Sequence, residues 1–486
     1  PDRTGGRGVT ASTPSPAAPL DLSRPGRYHV VGVGGPGMSA IALTLAEMGH
    51  AVSGSDLREL PVLDRLRAAG VTVHVGHDRA HVTGVDAVTA STAIPAANIE
   101  LAAAADAGIE VLRRAGMLAS ICAQADALGV AGTHGKTTTT SMLAMILNEA
   151  SLRPSYLVGG DVNDVGTSAH WSGQRWLVVE ADESDGTHLE LPLFGTILTN
   201  VEADHLDHYG TFEAVVDSFD RYLAQIPGPK VVCLDDPVAA RLAEDHDALT
   251  YGTHADAWYR ARDITVAEGS LRFSVDRGPA DARVELGQVT LPLRGVHNVR
   301  NATAAIALAD AIGVPFDASV DALARFGGVA RRFDVRARHR DITLIDDYAH
   351  LPSEIAAALD AAAGGGDGWS RVIAVFQPNR YNRMAVLSPE YRDAFVDADV
   401  AVITDIYPSG QAPLPGVTGK LVVDAVCDAH PEQRVVWLPK RPDLVSFLVG
   451  ELRPGDVCVS MGCGDVAALP DEVLAGLQRA DAQARA

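Results

Sequence analysis

Two glycine-rich turns, about a hundred residues apart, constrain this chain more than any other feature. The first, Gly32-Val33-Gly34-Gly35-Pro36-Gly37, follows a short apolar run at 28–33 and precedes helical spacing at 38–49. The second, Gly132-Thr133-His134-Gly135-Lys136-Thr137, lies between strand-like 127–131 and helix-patterned 138–150. A strand feeding a helix through glycines turns bare N–H groups and the positive helix end toward an anion. Each turn therefore predicts a parallel α/β unit, and two of different design predict two phosphorylated ligands.

With 486 residues the chain is too long for one hydrophobic core. The elements divide it into a disordered leader at 1–26 and three α/β domains in series at 27–122, 123–327 and 328–486. The formal charge of −22 disfavours nucleic acid, and it obliges bound phosphates to find local lysine, arginine or Mg²⁺. Five cysteines without metal or CxxC spacing read as reduced thiols. No apolar run approaches the roughly 18 residues of a membrane helix, and residues 1–26 show no signal-peptide h-region. These features predict a cytoplasmic protein without membrane insertion; they do not fix its oligomeric state, for which a monomer or weak homodimer is the expectation.

After the first turn, a strand at 51–55 ends at Asp56, nineteen residues beyond Gly37. That is a βαβ unit with an acid placed to hold a ribose hydroxyl. The glycines ask for a diphosphate, which either NAD(P) or a UDP-sugar presents, and the spacing does not choose between them. Strands at 71–75 and 87–90 and helices at 63–69 and 99–107 complete this domain. In the second domain, apolar runs at 176–179, 196–199 and 231–234 continue the alternation. Residues 257–293 predict an antiparallel excursion, and a helix at 302–311 closes the domain. In the third, strands at 342–345, 372–376, 400–404, 435–438 and 456–460 alternate with helices such as 352–362 and 388–397, and 364–368 forms a glycine loop.

The second turn departs from the usual Walker spacing, since Val130 stands where a glycine is expected. Lys136 nevertheless suits β/γ-phosphates, and the Thr137 hydroxyl suits Mg²⁺. Thr137–140 are poor helix formers, a cost that phosphate contacts would offset. Glu180-Ala181-Asp182-Glu183-Ser184-Asp185 and the run around Asp204-His205 start at strand ends on the same sheet edge, where ligands bind. Glu180 and His205 suit metal ligation, whereas Glu183 and Asp185 fit a solvated loop equally well. His297-Asn298-Val299-Arg300-Asn301 opens a helix. Asn298 could simply cap it, and Asn301, on the same face, could meet an adenine edge. Arg331-Arg332-Phe333-Asp334, Asp347-Tyr348-Ala349-His350 and the arginines Arg380 and Arg383 sit beside strands of the third domain.

Taken together these motifs resemble the Mur ligases of peptidoglycan synthesis, from about residue 28 to 465. The carriers are Gly-Val-Gly-Gly-Pro-Gly-Met-Ser at 32–39, Gly-Ser-Asp at 54–56, Gly-Thr-His-Gly-Lys-Thr-Thr at 132–138 and Glu-Ala-Asp-Glu-Ser-Asp at 180–185. Further matches are Asp-His-Leu-Asp at 204–207, His-Asn-x-x-Asn at 297–301, Arg-Arg-Phe-Asp at 331–334 and Tyr-Pro-Ser-Gly-Gln-Ala-Pro-Leu-Pro-Gly at 407–416. The resemblance implies a Rossmann-like UDP-binding domain, a central P-loop ATPase domain and a C-terminal Rossmann-like domain. It implies UDP-N-acetylmuramate, ATP and L-alanine as substrates, an acyl phosphate intermediate and Mg²⁺ (two ions, with Mn²⁺ as an alternative).

On that resemblance Gly34, Gly35, Gly37, Met38, Ser39, Asp56, Ser91 and Thr92 hold the UDP-sugar. Gly132, Thr133, His134, Gly135, Lys136, Thr137, Thr138, His297, Asn298, Asn301, Arg332 and Asp347 hold ATP. Thr137, Glu180 and His205 hold metal, with Lys136, Glu180 and His205 carrying catalysis. Tyr348, His350, Arg380 and Arg383 take the amino acid. Four departures stand against the family pattern: Leu351 replaces a second histidine, Asn379 a histidine, and Gly116 an acidic residue. In addition, no lysine lies between Lys136 and Lys230 to be carbamylated beside a metal. The nearest rival is a relative that adds a recycled peptide to the same sugar. More distant ones are a nicotinamide-dependent oxidoreductase and a non-catalytic UDP-sugar sensor switched by ATP.

Overall fold

A computed structural model describes residues 18–485 except 92, 163–166, 268 and 365–367. Most of the predicted leader, the binding residue Thr92 and the centre of the glycine loop at 364–368 thus lie outside the described residues. The chain divides into two compact units, one up to Ala125 with Glu190–Pro192, the other from Asp126 to Leu189 and from Leu193 onward.

The first unit holds five parallel strands: β1 (Arg27–Val31), β2 (Ala51–Asp56), β3 (Thr72–Val75), β4 (Ala87–Ala90) and β5 (Glu110–Arg113), in the order β3-β2-β1-β4-β5. The strand order reverses between β1 and β4, and such a switch point opens a crevice beyond the strand ends. The first glycine turn leaves β1 there, and Ser91 leaves β4. Pro36 at the start of the helix Pro36–Glu47 presets its φ, so the helix begins sharply after Gly35.

In the second unit one sheet comprises β6 (Asp126–Ala131), β7 (Ser155–Val162), β8 (Thr167–His170), β9 (Trp176–Glu180), β10 (Gly195–Leu198), β11 (Lys230–Cys233), β12 (Leu249–Gly252), β13 (Tyr259–Ala267), β14 (Ser270–Arg277) and β15 (Val284–Leu291). Their order is β15-β14-β13-β12-β11-β10-β6-β9-β7-β8, parallel from β13 to β7 and antiparallel at both edges. The antiparallel stretch expected at 257–293 is the hairpin pair β13–β15. A second sheet is built from β16 (Asp334–His339), β17 (Ile342–Asp347), β18 (Arg371–Phe376), β19 (Val400–Ile403), β20 (Val435–Trp437) and β21 (Asp456–Met461), in the order β16-β17-β21-β18-β19-β20. The helix expected at 388–397 is a 3₁₀ segment, Ser388–Asp393, where Pro389 supplies no N–H to continue an α-helical ladder.

The helices Lys136–Glu149 and Val296–Ala311 pack together within the central core, where Leu143, Ile146, Ala302 and Ile306 are fully buried. The side chains of the threonine run bond back along the helix. Thr140 Oγ1 donates to the Lys136 carbonyl at 2.8 Å, Ser141 Oγ donates to Thr137 O at 2.8 Å, and Thr139 and Thr140 are fully buried.

Candidate active site

Because β9, β6, β10 and β11 run parallel side by side, the turns after Ala131, Glu180, Leu198 and Cys233 open on one sheet edge. In the first of these turns Gly132 has φ 122° and Gly135 φ 79°, values that strain any L side chain. A methyl group on Gly135 would also sit 2.6 Å from Asn301 Oδ1. Neighbouring chain braces the turn. The Asn200 carbonyl accepts from Thr133 N–H at 3.0 Å, Asn200 Oδ1 accepts from His134 N–H at 2.8 Å, and Thr199 Oγ1 donates to His134 O at 2.6 Å.

Lys136 Nζ donates to Gly132 O at 2.7 Å and to both Glu183 oxygens at 2.9 and 2.8 Å. Glu183 is only 2% exposed, which overturns the solvated-loop alternative for this residue. Burial pushes its carboxyl up to about 7 against the pull of Lys136, while the neighbouring carboxylates Glu183, Asp182 and Glu180 outweigh burial and raise Lys136. Asp185 braces the turn instead, its Oδ1 accepting from Thr187 N–H at 3.2 Å and from Thr187 Oγ1 at 2.5 Å.

Glu180 Oε1 is buried without a hydrogen-bond partner, and a methyl group on Gly159 would come 2.5 Å from Glu180 Oε2. A bare carboxylate oxygen in this position fits a hard cation. His205, in the left-handed region at φ 54°, places Nε2 3.2 Å from Asp204 Oδ2 and 3.9 Å from Glu183 Oε1. Burial lowers its pKa against the pull of Asp204, aided by Lys136 and Arg383. Thr137 lies one residue past Lys136 in the same helical turn. Among the described residues no trio of His, Cys, Asp or Glu here is close enough to chelate an ion unaided.

A cavity of about 330 Å³ adjoins the turn. His134, Gly135, Thr138, His297, Asn298, Asn301, Arg332 and Asp347 all line it. Gly132, Thr133, Lys136 and Thr137 lie in the adjacent turn. Asn298 does not cap its helix, because the helix starts at Val296 after Gly295. Its Nδ2 donates to Arg294 O at 2.7 Å, and its Oδ1 accepts from Asn301 Nδ2 at 3.2 Å. Burial, with Arg300 and Arg332 nearby, drives His297 down to about 4, leaving a neutral ring. Sequence reasoning missed Asp235, which lines the same cavity and accepts from His254 N–H and Arg300 Nε, both at 2.8 Å. Its signal was present: Leu234-Asp235-Asp236-Pro237 follows β11 on the same edge.

From the C-terminal side, Asp347 Oδ2 accepts from Phe333 N–H at 2.6 Å and Oδ1 from Ala349 N–H at 2.7 Å, and burial pushes its carboxyl up to about 6. The guanidinium of Arg332 lies 5.1 Å from the Tyr348 ring centre. His134 bridges the two sheets' domains: Nδ1 is 2.9 Å from Glu354 Oε1 and Nε2 is 3.1 Å from Glu202 Oε2. Burial opposes its charge, yet Glu354 and Glu202 push it up to about 10. Glu354 also accepts from the N–H groups of His350 and Leu351 at 2.8 and 3.1 Å, so Leu351 serves through its backbone with its side chain buried.

The residues expected at the amino acid are partly buried. Arg383 donates from Nη1 to Asn379 Oδ1 at 2.7 Å and from Nη2 to Asp204 Oδ1 at 2.8 Å. Arg380, at φ 61°, donates its backbone N–H to Tyr407 O at 2.9 Å. The rings of Tyr348 and His350 meet edge to face at 5.6 Å, and burial lowers His350 to about 4.

In the first unit, Gly34 N–H donates to Asp56 Oδ2 at 3.0 Å, and a methyl group on Gly37 would meet Arg114 Nη1 at 3.3 Å. The glycine turn, Asp56 and Ser91 therefore sit together at the switch point. Met38 is buried in the core, and Ser39 Oγ donates to Pro36 O at 2.9 Å.

A P-loop sheet and a further α/β sheet sharing one cavity, with a dinucleotide-type domain earlier in the chain, define a three-domain nucleotide-dependent ligase. The Mur ligase family catalytic domain matches residues 27–126, the Mur ligase middle domain 130–309 and the Mur ligase glutamate ligase domain 331–464. This chain belongs to the Mur ligase family. It is 44% identical over 462 residues to the UDP-N-acetylmuramate–L-alanine ligase of Bradyrhizobium sp. (strain ORS 278), covering 93% of this chain and 98% of that one. The enzyme of that name from Acidothermus cellulolyticus is 44% identical over 469 residues, 95% of this chain and 97% of that one. Among solved structures, the UDP-N-acetylmuramate-alanine ligase of Thermotoga maritima superposes with a TM-score of 0.78 at 26% identity, covering 94% and 100% of the two chains. The murein peptide ligase of Psychrobacter arcticus superposes with a TM-score of 0.68 at 25% identity, covering 93% and 98%.

Proposed function

We propose that this chain joins L-alanine to the carboxylate of UDP-N-acetylmuramate, consuming ATP and releasing ADP and phosphate, in the synthesis of peptidoglycan precursor. A carboxylate is a poor electrophile. Transfer of the γ-phosphoryl group converts it to an acyl phosphate, which the free amine of alanine attacks, expelling phosphate. Lys136 and the N-terminal end of the helix Lys136–Glu149 carry the β/γ charge, and the cavity holding Asn298, Asn301 and His297 receives the adenine end.

Thr137, Glu180 and His205 would hold Mg²⁺, two ions or Mn²⁺ in their place. When bound, such ions screen the repulsion between triphosphate and incoming carboxylate. The turn Gly34–Gly37 with Met38 and Ser39, together with Asp56, Ser91 and Thr92, would hold the UDP moiety. Tyr348, His350, Arg380 and Arg383 would select the amino acid, with Arg383 exchanging Asp204 for the alanine carboxylate. We further propose cytoplasmic work, where ATP and nucleotide sugars are made, as a monomer or weak homodimer. No described helix is long and apolar enough to cross a membrane.

The observation that carries the proposal is the cavity in which the P-loop residues His134, Gly135 and Thr138 meet Asn298, Asn301, Arg332 and Asp347. Phosphate release measured with UDP-N-acetylmuramate, ATP, Mg²⁺ and each amino acid in turn tests it. Turnover with L-alanine is expected, and none in the absence of the sugar nucleotide. Turnover with a free tripeptide but not with L-alanine would instead assign the peptide-adding activity.

A further inference from the structure

The first unit carries a second group of chemically capable side chains, away from its glycine turn. On one face of the sheet, His29 pairs in register with Ser53, and Ser55 with His74, where a Rossmann-like core is ordinarily apolar. Onto this face the helix Ile99–Asp106 brings Glu100, which is fully buried. Glu100 Oε2 accepts from Ser55 Oγ at 2.6 Å and lies 2.7 Å from His77 Nδ1. Its Oε1 lies 2.6 Å from His81 Nδ1, and His81 stacks on His74 with ring centres 3.9 Å apart.

His29 is the informative member. Its ring is fully buried, and Nδ1 lies 2.8 Å from Ser53 Oγ. Nε2 points toward Glu100 Oε1 at 3.5 Å and has no hydrogen-bond partner. A buried imidazole nitrogen left unpaired is costly. An Nδ1–H donated to an outer oxygen is also how metal-binding histidines are held, because it leaves the Nε2 lone pair free. Ligand atoms of His29, His81 and Glu100 all lie within 4.8 Å of one another.

We propose that His29 Nε2, His81 Nδ1 and Glu100 Oε1 bind a divalent cation of the zinc class. Two imidazoles and a carboxylate suit Zn²⁺ or Co²⁺ over Mg²⁺. The ion replaces the proton shared by His81 and Glu100, which leaves to solvent, and their contact widens toward the roughly 3.3 Å that ligands of a tetrahedral ion keep. Ser55 and His77 hold the other carboxylate oxygen, and Ser53 fixes the His29 tautomer. The ion pins β1 to the helix and to the turn Arg79–Val82, independently of the proposed reaction.

The test uses the full chain, stripped with chelator, then incubated with ZnCl₂ or CoCl₂ without nucleotide and desalted. Elemental analysis counts retained metal, and the visible spectrum of Co²⁺ reports tetrahedral nitrogen–oxygen ligation. Since Glu180 and His205 can also attract a cation, the same measurement is made on the Glu180→Gln/His205→Asn double variant. One retained equivalent is expected in both proteins, with Zn²⁺ raising the unfolding midpoint. His29→Asn is expected to lose it, and Ser53→Ala to bind about 10–100-fold more weakly. Should His29→Asn not fold, Ser53→Ala decides. Absence of retained metal in the folded wild type, an equivalent lost with Glu180 and His205, or wild-type affinity in Ser53→Ala together with any folded His29→Asn would overturn the site.

Discussion

At Gly34 a carboxylate, Asp56, takes a backbone N–H of the first glycine turn; at Gly132 an ammonium, Lys136, takes a carbonyl of the second. The first turn enters its helix through Gly35 in ordinary extended geometry at φ −70°, followed by Pro36. The second enters through Gly135 in the left-handed region at φ 79°. So the turns differ in charge and in the backbone geometry at which each enters its helix. In a chain of net charge −22, the turn proposed to face a triphosphate carries its own cation, and Glu183 holds that cation in place. The other offers backbone and an acid suited to a sugar hydroxyl.

The sharpest way to break this comparison is Lys136→Ala. Phosphate release should fall by on the order of 10³-fold or more while circular dichroism stays native, because a preorganised charge at the phosphoryl group is lost. Gly135→Ala comes next. Left-handed φ and the 2.6 Å approach to Asn301 should cost about 1–2 kcal/mol of stability and lower kcat/KM by roughly 10–100-fold. The equivalent change in the first turn, Gly35→Ala, should be nearly silent in a urea melt, within about 0.5 kcal/mol, since the nearest atom to the new methyl lies 3.5 Å away. A large loss there would mean that the two helix entries are strained alike.

Between these extremes, Asp56→Asn should raise KM for the sugar nucleotide about tenfold with little change in kcat. A pH series separates the turns further. His134 is raised from 6.5 to about 10, first against burial and then by Glu354 and Glu202. A raised pKa contributes stability that is complete below pH 6.5 and disappears as pH climbs through about 10. Wild-type stability should therefore fall across that window more steeply than His134→Gln, as read from urea midpoints. Parallel slopes would remove the bridging role.

The sheet-edge logic was legible in residues. Parallel strands ending in Glu180, Asn200 and the glycine turn declared a binding edge, because open α/β sheets bind ligands where their strands end. Less legible were elements without periodicity. β7 and β8 carry glycines and polar residues, and the 3₁₀ segment at Ser388 looked helical because spacing does not distinguish the two ladders. Asp235 is not marked out along the chain, because its neighbour Asp236 acts as a helix cap, accepting from Val238 and Ala239 N–H.

Local order, periodicity and glycine placement thus determined from sequence alone that this chain is a serial α/β protein with two glycine turns that each lead a strand into a helix, since backbone geometry there depends on adjacent residues. Tertiary structure decided the pairings: Lys136 with Glu183, His134 with Glu354, Arg383 with Asp204, and three histidines gathered around Glu100. Which buried charge meets which partner depends on elements far apart in the chain, and burial sets the strength of each meeting. No pattern along the sequence encodes that distance.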